Sequence, residues 1–428
     1  MDLRLLQLIH QQNPWLKDKG AKILAMPNFR PRAQIATLML PEWDRLCTIL
    51  TGPRRAGKTT LGKYLSEQLL AQKRFHELLY INCDLWEIRQ WLTSSLFIQE
   101  AQAELNLKKP IVLIDEVQRL ESPGLFLKML ADLALPIKIL ASGSSQLEIK
   151  SKVTEHLTGR NFSSLVLPLS FSEWPASSHI DDLLLYGSYP QIIDTQEKEL
   201  LLGFLFQDYI NKDIIETLKL GNADVFLKLM SLVAHSSGQL ANYNQLATDC
   251  NVSVTMIKHY LSIAKQTYII AEVTPFVGNK RVELTSNPIF YFIDNGIRNY
   301  ALRNFSAPNT RTDLGLLVEG LVFQELYKLV TQSFLNYQIH YWRTKSGAEV
   351  DFVVYKNDQA LLPIEVKFQN MKAPKVTRGF RSFLQAYQPK NAVVITKDLI
   401  DTITVSESRI YFIPLTMFER VVPLVITL

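Results

Sequence analysis

The sequence is poor in cysteine, with only Cys47, Cys83 and Cys250 among its 428 residues. The three are far apart and odd in number, and neither a Cys-x-x-Cys pair nor a Cys/His cluster occurs. This excludes a disulfide framework and a cysteine-based zinc site as the basis of the fold. Because a reducing compartment suits such a chain, we expect a cytoplasmic protein.

Long apolar runs are also missing. The first residues, MDLRLLQLIHQQNPW, contain no apolar signal core, and no later stretch approaches the length of a membrane span. Hydrophobic residues make up 47% and charged residues 20% of the chain, which is typical of soluble globular proteins. A chain of 428 residues is too long for one ordinary core, so we expect two or three domains and no membrane partner.

Acidic residues are absent from one part of the chain, between Val366 and Lys397. The net charge of the whole chain is only +5 at pH 7, so it is the distribution of charge that distinguishes this segment. Its basic residues are Lys367, Lys372, Lys375, Arg378, Arg381, Lys390 and Lys397. Such a run forms either a solvated basic face or a surface that faces phosphate groups.

Short apolar runs alternate with helical stretches from residue 45 to about residue 170. The runs are RLCTILTG, ELLYINCD, IVLID and IKILASGS, and apolar strands separated by helices predict a parallel sheet covered on both faces. The following residues are mostly helical until about residue 300, after which a mixed pattern returns. We expect an N-terminal segment (1–40), an α/β domain (41–175), a helical, winged-helix-like region (176–305) and a C-terminal α/β domain (306–428).

The sequence TILTGPRRAGKTTLGKYL contains the pattern Gly52-x-x-x-x-Gly57-Lys58-Thr59 between an apolar strand and a helix. This is the context that a P-loop requires. Glycine lets the backbone N–H groups curl around phosphate oxygens, and the helix N-terminus adds its positive dipole end. We expect Lys58 to reach the β- and γ-phosphates of ATP and the Thr59 hydroxyl to ligate Mg²⁺. The residues predicted to bind the nucleotide are Gly52, Pro53, Arg54, Arg55, Ala56, Gly57, Lys58, Thr59 and Thr60.

A second apolar strand ends in two acidic residues. In KPIVLIDEVQ the apolar run leads into Asp115 and Glu116. We expect Asp115 to hold Mg²⁺ through its water shell and Glu116 to act as the general base that orients and polarises the attacking water. Two solvated acids at the end of a strand are the alternative, but the P-loop already calls for an acidic partner on a neighbouring strand. The pair therefore indicates an ATPase that hydrolyses its nucleotide.

Two later segments supply further candidates for the nucleotide site. The run IKILASGSSQLEIKS ends an apolar strand at a Ser/Gly cluster, and we predict that Ser144 touches the γ-phosphate or the attacking water. The alternative is an ordinary loop that turns into a helix. Arg160, in HLTGRNF, is a candidate for an arginine finger that acts at the site of a neighbouring subunit, and otherwise a surface residue.

The segments QNPWL, GPRRAGKTT, IDEVQ, SGSS, LTGR and PLSFSEW occur in this order and are followed by YGSYPQII, DYINKDI, YFIDNGI, WRTKSGAEVDFVV and IEVK. Together they resemble the prokaryotic AAA+-type ATPase family whose members carry a C-terminal region of unknown function. The resemblance covers nearly the whole chain. It implies an N-terminal P-loop ATPase, a winged-helix-like segment and a C-terminal domain like the PD-(D/E)xK nucleases. It implies that the nucleotide site consists of Gly52, Gly57, Lys58, Thr59, Asp115 and Glu116. It also supports the role of Arg160 as an arginine finger.

The segment GQLANYNQLATDCNVSVTMIKHYLSIAKQTYII is typical of a helix, a tight turn and a second helix. Ser253 is a plausible N-cap for the second helix, and two β-rich runs follow, which is the order of a winged helix-turn-helix. In a DNA-binding protein the second helix enters the major groove, where this one offers Thr255, Lys258 and His259. A protein-binding or lid module is an equally weighted alternative.

Charged residues interrupt an apolar strand near the end of the chain, in LPIEVKF. Glu365 and Lys367 share one face of this strand, and the turn YKNDQ brings it back beside a strand that carries Asp351. Glu319 lies on a preceding helix, which completes the acid order of the PD-(D/E)xK fold. We expect Glu319, Asp351 and Glu365 to ligate a second Mg²⁺ or Mn²⁺ and Lys367 to orient water or stabilise the leaving charge. An exposed Glu–Lys pair is the alternative.

The sequence thus predicts an α/β protein: an AAA+-type P-loop NTPase with a parallel sheet, a helical or winged-helix middle segment and a C-terminal restriction-endonuclease-like domain. Its function would be ATP hydrolysis with Mg²⁺ and action on DNA, as a homo-oligomeric ring if Arg160 acts between subunits. One alternative is an ATP-controlled switch that binds DNA or protein without cleavage. Another is a protein remodeller with no nucleic-acid partner.

Overall fold

The computed structural model describes residues 3–428 except residues 19, 25, 27–28, 93–95, 134, 144–156, 176–178, 211–221, 277–286, 335 and 358–359. The chain divides into two units, Met1–Pro168 and Leu169–Leu428, called here the N-terminal and the C-terminal unit. In the described part of the two units, no helix is long and apolar enough to cross a membrane.

The N-terminal unit contains short helices around a five-stranded sheet. The helices are α1 (Leu3–Gln12), α2 (Ile35–Leu38), α3 (Lys58–Ala71), α4 (Trp86–Trp91), α5 (Phe97–Leu105) and α6 (Pro123–Asp132). The strands are β1 (Cys47–Thr51), β2 (Glu77–Asn82), β3 (Pro110–Asp115), β4 (Lys138–Gly143) and β5 (Asn161–Leu165). Short 3₁₀ helices occur at Pro14–Leu16, Pro41–Trp43 and Val117–Arg119.

The five strands form the parallel sheet that the apolar runs predict. Their order is β2-β3-β4-β1-β5, with every neighbouring pair parallel. Each residue of β3 and β4 is buried, as expected for strands covered on both faces. Leu61, Leu65 and Leu69 recur along α3 at helical spacing and are buried in one core cluster with Leu113 of β3. Because parallel strands point the same way, the carboxyl ends of β1, β3 and β4 lie along one edge of the sheet.

The C-terminal unit is larger and mixes helices with an eight-stranded sheet. Its helices are α7 (Ile180–Tyr186), α8 (Pro190–Ile193), α9 (Lys198–Asp208), α10 (Ala223–His235), α11 (Tyr243–Cys250), α12 (Val254–Gln266), α13 (Asn295–Leu302), α14 (Leu314–Gln332), α15 (Arg378–Tyr387) and α16 (Val421–Ile426). Its strands are β6 (Ile270–Pro275), β7 (Ile289–Phe292), β8 (Gln338–Arg343), β9 (Glu349–Asn357), β10 (Ala360–Lys367), β11 (Asn391–Thr396), β12 (Asp401–Val405) and β13 (Ser408–Pro414).

The predicted helix, tight turn and second helix are α11 and α12. Asn251 ends α11 in the left-handed conformation, with φ of 55°. Ser253 caps α12, since its hydroxyl accepts the N–H of Met256 at 3.2 Å. The apolar residues between the two helices, including Leu246 and Ile257, are buried in one core cluster. The pair is therefore held by packing as well as by the turn.

The two strands expected to form a wing take part in a larger sheet. β6 and β7 pair antiparallel, as a wing would. However, β6 also pairs in parallel with β8, through Thr274 and Pro275, and extends the C-terminal sheet. The strand order is β12-β13-β11-β10-β9-β8-β6-β7. The predicted boundary between residues 305 and 306 thus separates segments that share one sheet, and the four-part domain scheme stays a prediction.

Along the chain, a helix, three strands, a second helix and a fourth strand form the centre of this sheet and its cover. α14 precedes the antiparallel strands β8, β9 and β10, and α15 connects β10 to the parallel strand β11. α14 is more deeply buried than an amphipathic helix, because Gln324, Glu325 and Lys328 are buried along with its apolar residues. Lys328 and Glu325 compensate each other, with the ammonium 2.8 Å from the carboxylate.

Candidate functional site

The loop between β1 and α3 has a backbone that only glycine allows at one point. Gly52 has φ of +143°, and a Cβ atom there would lie 2.0 Å from the carbonyl oxygen of Val166. Gly57 has φ of +96° and caps α3 in the left-handed conformation. The loop therefore turns tightly at the carboxyl end of β1 and leads directly into the N-terminus of α3, the end of a helix that favours anions.

Lys58 lies inside this loop. Its side chain is 6% exposed, and its Nζ donates to the carbonyl oxygens of Gly52 at 3.0 Å and Pro53 at 2.9 Å. These contacts hold the ammonium group at the centre of the loop. A phosphate bound by the loop would meet this charge directly.

The other predicted loop residues are partly or fully buried. Ala56 is fully buried, and its carbonyl oxygen accepts a hydrogen bond from Arg32 Nη1 at 3.2 Å. Arg32, which sequence reasoning missed, lies in the segment before β1 and also donates to the carbonyl of Leu167, so it links the loop to that segment and to the residues after β5. Arg54 and Arg55 are partly buried, with Arg55 at φ of 62°. No local pattern around Arg32 distinguishes it from the other arginines of the N-terminal segment.

Asp115 receives hydrogen bonds from several sides. Thr59 Oγ1 donates to Asp115 Oδ2 at 2.8 Å, Tyr80 Oη donates to the same oxygen at 3.0 Å, and the Ser142 hydroxyl donates to Oδ1. The carboxylate of β3 thus meets the P-loop helix and both flanking strands. A hydroxyl and a carboxylate oxygen this close are suitable ligands for the Mg²⁺ ion of a bound nucleotide, so the residues present fit that ion.

Glu116 follows Asp115 at the carboxyl end of β3. Its backbone is left-handed, with φ of 54°, which turns the chain sharply after the strand. The Gln118 side-chain amide donates to Glu116 Oε2. Burial raises the pKa of Glu116, an effect that Lys58 opposes and Asp115 reinforces. A carboxylate with a raised pKa next to a phosphate loop is suited to accept a proton from water.

Lys58, Thr59, Asp115 and Glu116 are therefore brought together by the carboxyl edge of the sheet. Ser144 lies outside the described residues. The hydroxyl that reaches Asp115 belongs to Ser142, two residues earlier on β4. Ser142 reaches Asp115 because neighbouring parallel strands align their carboxyl ends, and the role of Ser144 stays a prediction.

Arg160 lies on the opposite edge of the same sheet. It immediately precedes β5, whose first residue pairs with Cys47, the first residue of β1. The P-loop follows the other end of β1, a strand of five residues, or roughly 16 Å away. Arg160 Nε forms an ion pair with Asp132 at 2.7 Å, and both side chains are nearly half exposed. Arg160 is thus remote from the P-loop of its own chain.

The C-terminal unit brings the four predicted residues of its sheet and helix together. β9 and β10 run antiparallel in a register that puts Asp351 and Glu365 on adjacent strands. Lys367 Nζ lies 3.0 Å from Glu365 Oε1, so the two do share a face. Glu319 of α14 and Asp351 both line a cavity of about 490 Å³.

Each carboxylate of this cluster has a donor within the protein. The Tyr291 hydroxyl donates to Glu319, and a backbone N–H of β10 donates to Asp351 at 2.7 Å. The Thr377 hydroxyl donates to the two oxygens of Glu365 at 2.9 and 3.2 Å. Sequence reasoning missed Tyr291 and Thr377, because both come from segments outside the acid pattern.

Protonation is favoured at two members of the cluster. Burial, reinforced by the neighbouring Asp351 carboxylate, raises the pKa of Glu319 to about 8. Burial also raises the pKa of Asp351 to about 6, although the N–H of Val366 opposes this. For Lys367, burial lowers the pKa, but the Glu365 and Asp351 carboxylates outweigh it and the pKa is raised. At neutral pH the group is a hydrogen-bonded, partly protonated cluster.

A second metal site is not formed by these side chains as they stand. Within the described ranges, no three His, Cys, Asp or Glu side chains are arranged to hold a metal ion. Carboxylate oxygens are the ligands that Mg²⁺ and Mn²⁺ take, but here burial raises the pKa of Glu319 and of Asp351 and so favours their protonated, poorly ligating forms. The predicted role of Glu319, Asp351 and Glu365 as metal ligands therefore stays a prediction.

Comparison with known families divides the chain into three parts. Residues 44–174 match the family described as AAA domain. Residues 177–308 and 314–418 match two further families, each described as a domain of unknown function. The first match coincides with the parallel sheet and the P-loop.

The chain is similar over most of its length to proteins that carry no functional description. An uncharacterized protein of Mycobacterium tuberculosis is 24% identical over 384 residues, which is 85% of this chain and 82% of that protein. An uncharacterized protein of Haemophilus influenzae is 24% identical and covers 75% of this chain and 82% of its own length. One of Methanocaldococcus jannaschii is 23% identical, with 74% of each chain covered.

Solved structures give weaker likenesses. PCH-2 of C. elegans has a TM-score of 0.24 at 17% identity, covering 61% of this chain and 69% of PCH-2. AMPPCP-bound DnaA from Aquifex aeolicus has a TM-score of 0.26 at 15% identity, covering 54% of this chain and 85% of DnaA. TM-scores this low support no argument about this chain. Residues 44–174 thus match the family described as AAA domain, and they have the parallel sheet and the loop geometry of a P-loop NTPase fold.

Proposed function

We propose that the N-terminal unit binds ATP with Mg²⁺ and hydrolyses it. The observation that carries this proposal is the meeting of Lys58, Thr59, Asp115 and Glu116 at the carboxyl edge of one sheet. Lys58 and the loop N–H groups hold the phosphates, and Thr59 and Asp115 supply oxygen ligands for the ion. Glu116 accepts a proton from the water that attacks the γ-phosphorus, while the bond from phosphorus to the ADP oxygen breaks.

Phosphate release by the parent and by Glu116→Gln, at saturating ATP and Mg²⁺, tests this proposal. The substitution keeps the shape and the hydrogen bond to Gln118 but removes the base, so we expect a loss of about 10²–10⁴-fold in kcat. Equal rates in the two proteins would reject Glu116 as the base. Lys58→Ala serves as a second variant, in which ATP binding itself should be lost.

We further propose that the protein is a homo-oligomer in which Arg160 acts at the nucleotide site of a neighbouring copy. Its position on the sheet edge opposite the P-loop supports a role between chains rather than within one. A mixture of Lys58→Ala and Arg160→Ala chains tests this, since each variant alone would be inactive. Recovered ATPase activity in the mixture supports the proposal. A mixture that is as inactive as each variant alone contradicts it.

A second proposal is that the chain acts on nucleic acid through a nuclease-like C-terminal domain. The element order from α14 to β11, and the neighbouring Asp351 and Glu365 carboxylates, support a PD-(D/E)xK-type arrangement. Basic side chains near it also support a phosphate-facing surface. Lys372, Lys375, Arg378 and Arg381 are all exposed and form no ion pair with the described residues.

The hydrogen bonds within the carboxylate cluster favour one alternative, a domain that binds without cutting. Glu319, with a pKa of about 8, would have to lose its proton before it could ligate a metal. In that case the chain is an ATP-controlled switch for DNA or a protein partner. Thr255, Lys258 and His259 on α12 are exposed and supply a further candidate surface for either partner.

An assay of DNA cleavage by the parent and by Glu365→Ala, with ATP and Mg²⁺ or Mn²⁺, distinguishes the nuclease from the switch that binds without cutting. Cutting by the parent alone supports a metal-dependent nuclease. Salt-dependent DNA binding without cutting supports the switch, because phosphate contacts release counterions. Absence of both leaves a remodeller of proteins as the function that fits.

A further inference from the structure

β2 flanks β3, and one of its side chains reaches the carboxylate that is expected to hold Mg²⁺. Tyr80 Oη donates to Asp115 Oδ2 at 3.0 Å. Thr59 Oγ1 donates to the same oxygen at 2.8 Å, and the Ser142 hydroxyl donates to the other oxygen. Asp115 is therefore fixed from both neighbouring strands, by Tyr80 of β2 and Ser142 of β4.

The ring of Tyr80 is held in place from its face. Lys63 Nζ, on α3, lies 4.2 Å from the centre of the ring. The phenol is also kept as a hydrogen-bond donor, because burial and the Asp115 carboxylate both raise the pKa of Tyr80. The phenol therefore stays protonated around neutral pH and donates to Asp115.

The backbone of Tyr80 is fixed by the N-terminal segment. β2 is an edge strand, and Asn13 takes the place of a neighbouring strand beside it. Asn13 Nδ2 donates to the Tyr80 carbonyl at 2.8 Å, and Asn13 Oδ1 accepts the Tyr80 N–H at 2.6 Å. Trp15 Nε1 adds a hydrogen bond to the carbonyl of Leu78 at 2.8 Å. Asn13 is fully buried, so these contacts are shielded from water.

We propose that Tyr80 is a positioning residue for the Mg²⁺–nucleotide site, and that the segment from Asn13 to Trp15 locks the strand that presents it. This inference rests on the proposed ATPase function. Tyr80 acts on the site through Asp115, by holding that carboxylate in one orientation. Partners of this kind, which orient a metal ligand, affect metal affinity when they are removed.

Binding of a fluorescent, non-hydrolysable ATP analogue to the full chain tests the proposal. The dissociation constant is measured in EDTA and across a Mg²⁺ titration, for the parent and for Tyr80→Phe. The variant keeps the ring, its packing and the Lys63 contact and loses only the hydroxyl. We expect an unchanged constant in EDTA and a rise of about tenfold or more in the Mg²⁺ concentration that gives half of the maximal effect.

Tyr411→Phe makes the same chemical change in the C-terminal unit and should leave both values as in the parent. If Mg²⁺ strengthens binding equally in the parent and in Tyr80→Phe, the role of Tyr80 is refuted while the nucleotide site stands. If Mg²⁺ has no effect on binding by the parent, the proposed function fails and the inference fails with it. A variant that binds more weakly in EDTA as well would show a merely structural role and overturn the proposal.

Discussion

Glu116 is held where its protonation state would control the reaction. Burial raises its pKa above the ordinary value of 4.5, so the acid is protonated at higher pH than an exposed glutamate. Only the ionised form can accept a proton from water. On acidification, kcat should therefore begin to fall at a higher pH than it would with an exposed carboxylate as the base.

We predict that kcat for ATP hydrolysis falls on acidification along a limb whose midpoint lies above the ordinary glutamate range. The measurement is kcat at saturating ATP and Mg²⁺ between about pH 5 and pH 8. ATP binding measured at the same pH values is the control, since it should change less than kcat. A rate that stays constant down to about pH 5 would show that Glu116 ionises normally or does not act as the base.

The open side of the edge strand β2 is bound by the buried amide of Asn13, and Trp15 adds a further hydrogen bond. Asn13→Ala would remove its hydrogen bonds to both backbone groups of Tyr80 and leave these partly buried groups without that partner. We expect the N-terminal unit to lose about 1–3 kcal/mol of unfolding free energy. Chemical denaturation followed by tryptophan fluorescence measures this. Gln72→Ala, at the exposed end of α3, is the control. Equal stability of the two variants would contradict a stabilising role of Asn13 at β2.

The carboxylate cluster between α14 and β9 makes the stability of the C-terminal unit depend on pH. Glu319 has a pKa of about 8 when folded and an ordinary value near 4.5 when unfolded, so the folded state binds more protons between these values. The unfolding free energy must then fall as pH rises through this window. The sign is opposite to that of an ion-paired carboxylate.

We predict that Glu319→Gln stabilises the C-terminal unit by about 1–3 kcal/mol at pH 8 in metal-free buffer and has a smaller effect near pH 5. Denaturant unfolding of parent and variant at the two pH values measures this difference. Added Mn²⁺ should reverse the trend in the parent only if the carboxylates ligate the ion. A parent whose stability rises from pH 5 to pH 8 while the variant's does not would contradict the account.

Sequence patterns predict the nucleotide site because its residues occur in two short segments, each of which directly follows an apolar strand. The P-loop and the Asp115–Glu116 pair each follow one apolar strand, and parallel strands bring such ends together. Tyr80 could not be found in this way, since its contact with Asp115 depends on the register between two strands. The same holds for Thr377, which reaches Glu365 from the N-cap position of α15.

The sequence also does not predict which strands pair with each other in the C-terminal sheet. The apolar runs of β6 and β7 predict two paired strands, which the structure has. Nothing in their sequence shows that β6 also joins β8 of the C-terminal sheet. Backbone hydrogen bonds carry no side-chain signature, so a pattern that identifies a strand does not identify its neighbour.

One basic surface of the molecule, formed by the exposed residues Lys372, Lys375, Arg378 and Arg381, is a candidate for binding nucleic acid. Lys375 is exposed, unpaired among the described residues and close in sequence to Thr377, which contacts Glu365. We predict that Lys375→Ala weakens DNA binding and reduces the slope of log K against log salt by about 1. Lys108→Ala, an exposed lysine of the N-terminal unit, is the matched control. Identical slopes for the two variants would show that this surface does not contact DNA phosphates.

The central claim, that the P-loop unit hydrolyses ATP with Glu116 as the base, is tested most directly by the nucleotide that the protein holds after one turnover. Parent and Glu116→Gln are each loaded with radiolabelled ATP and Mg²⁺, incubated, freed of unbound nucleotide and quenched with acid. We predict ADP on the parent and intact ATP on Glu116→Gln. ADP on both proteins, or ATP on both, would contradict the claim.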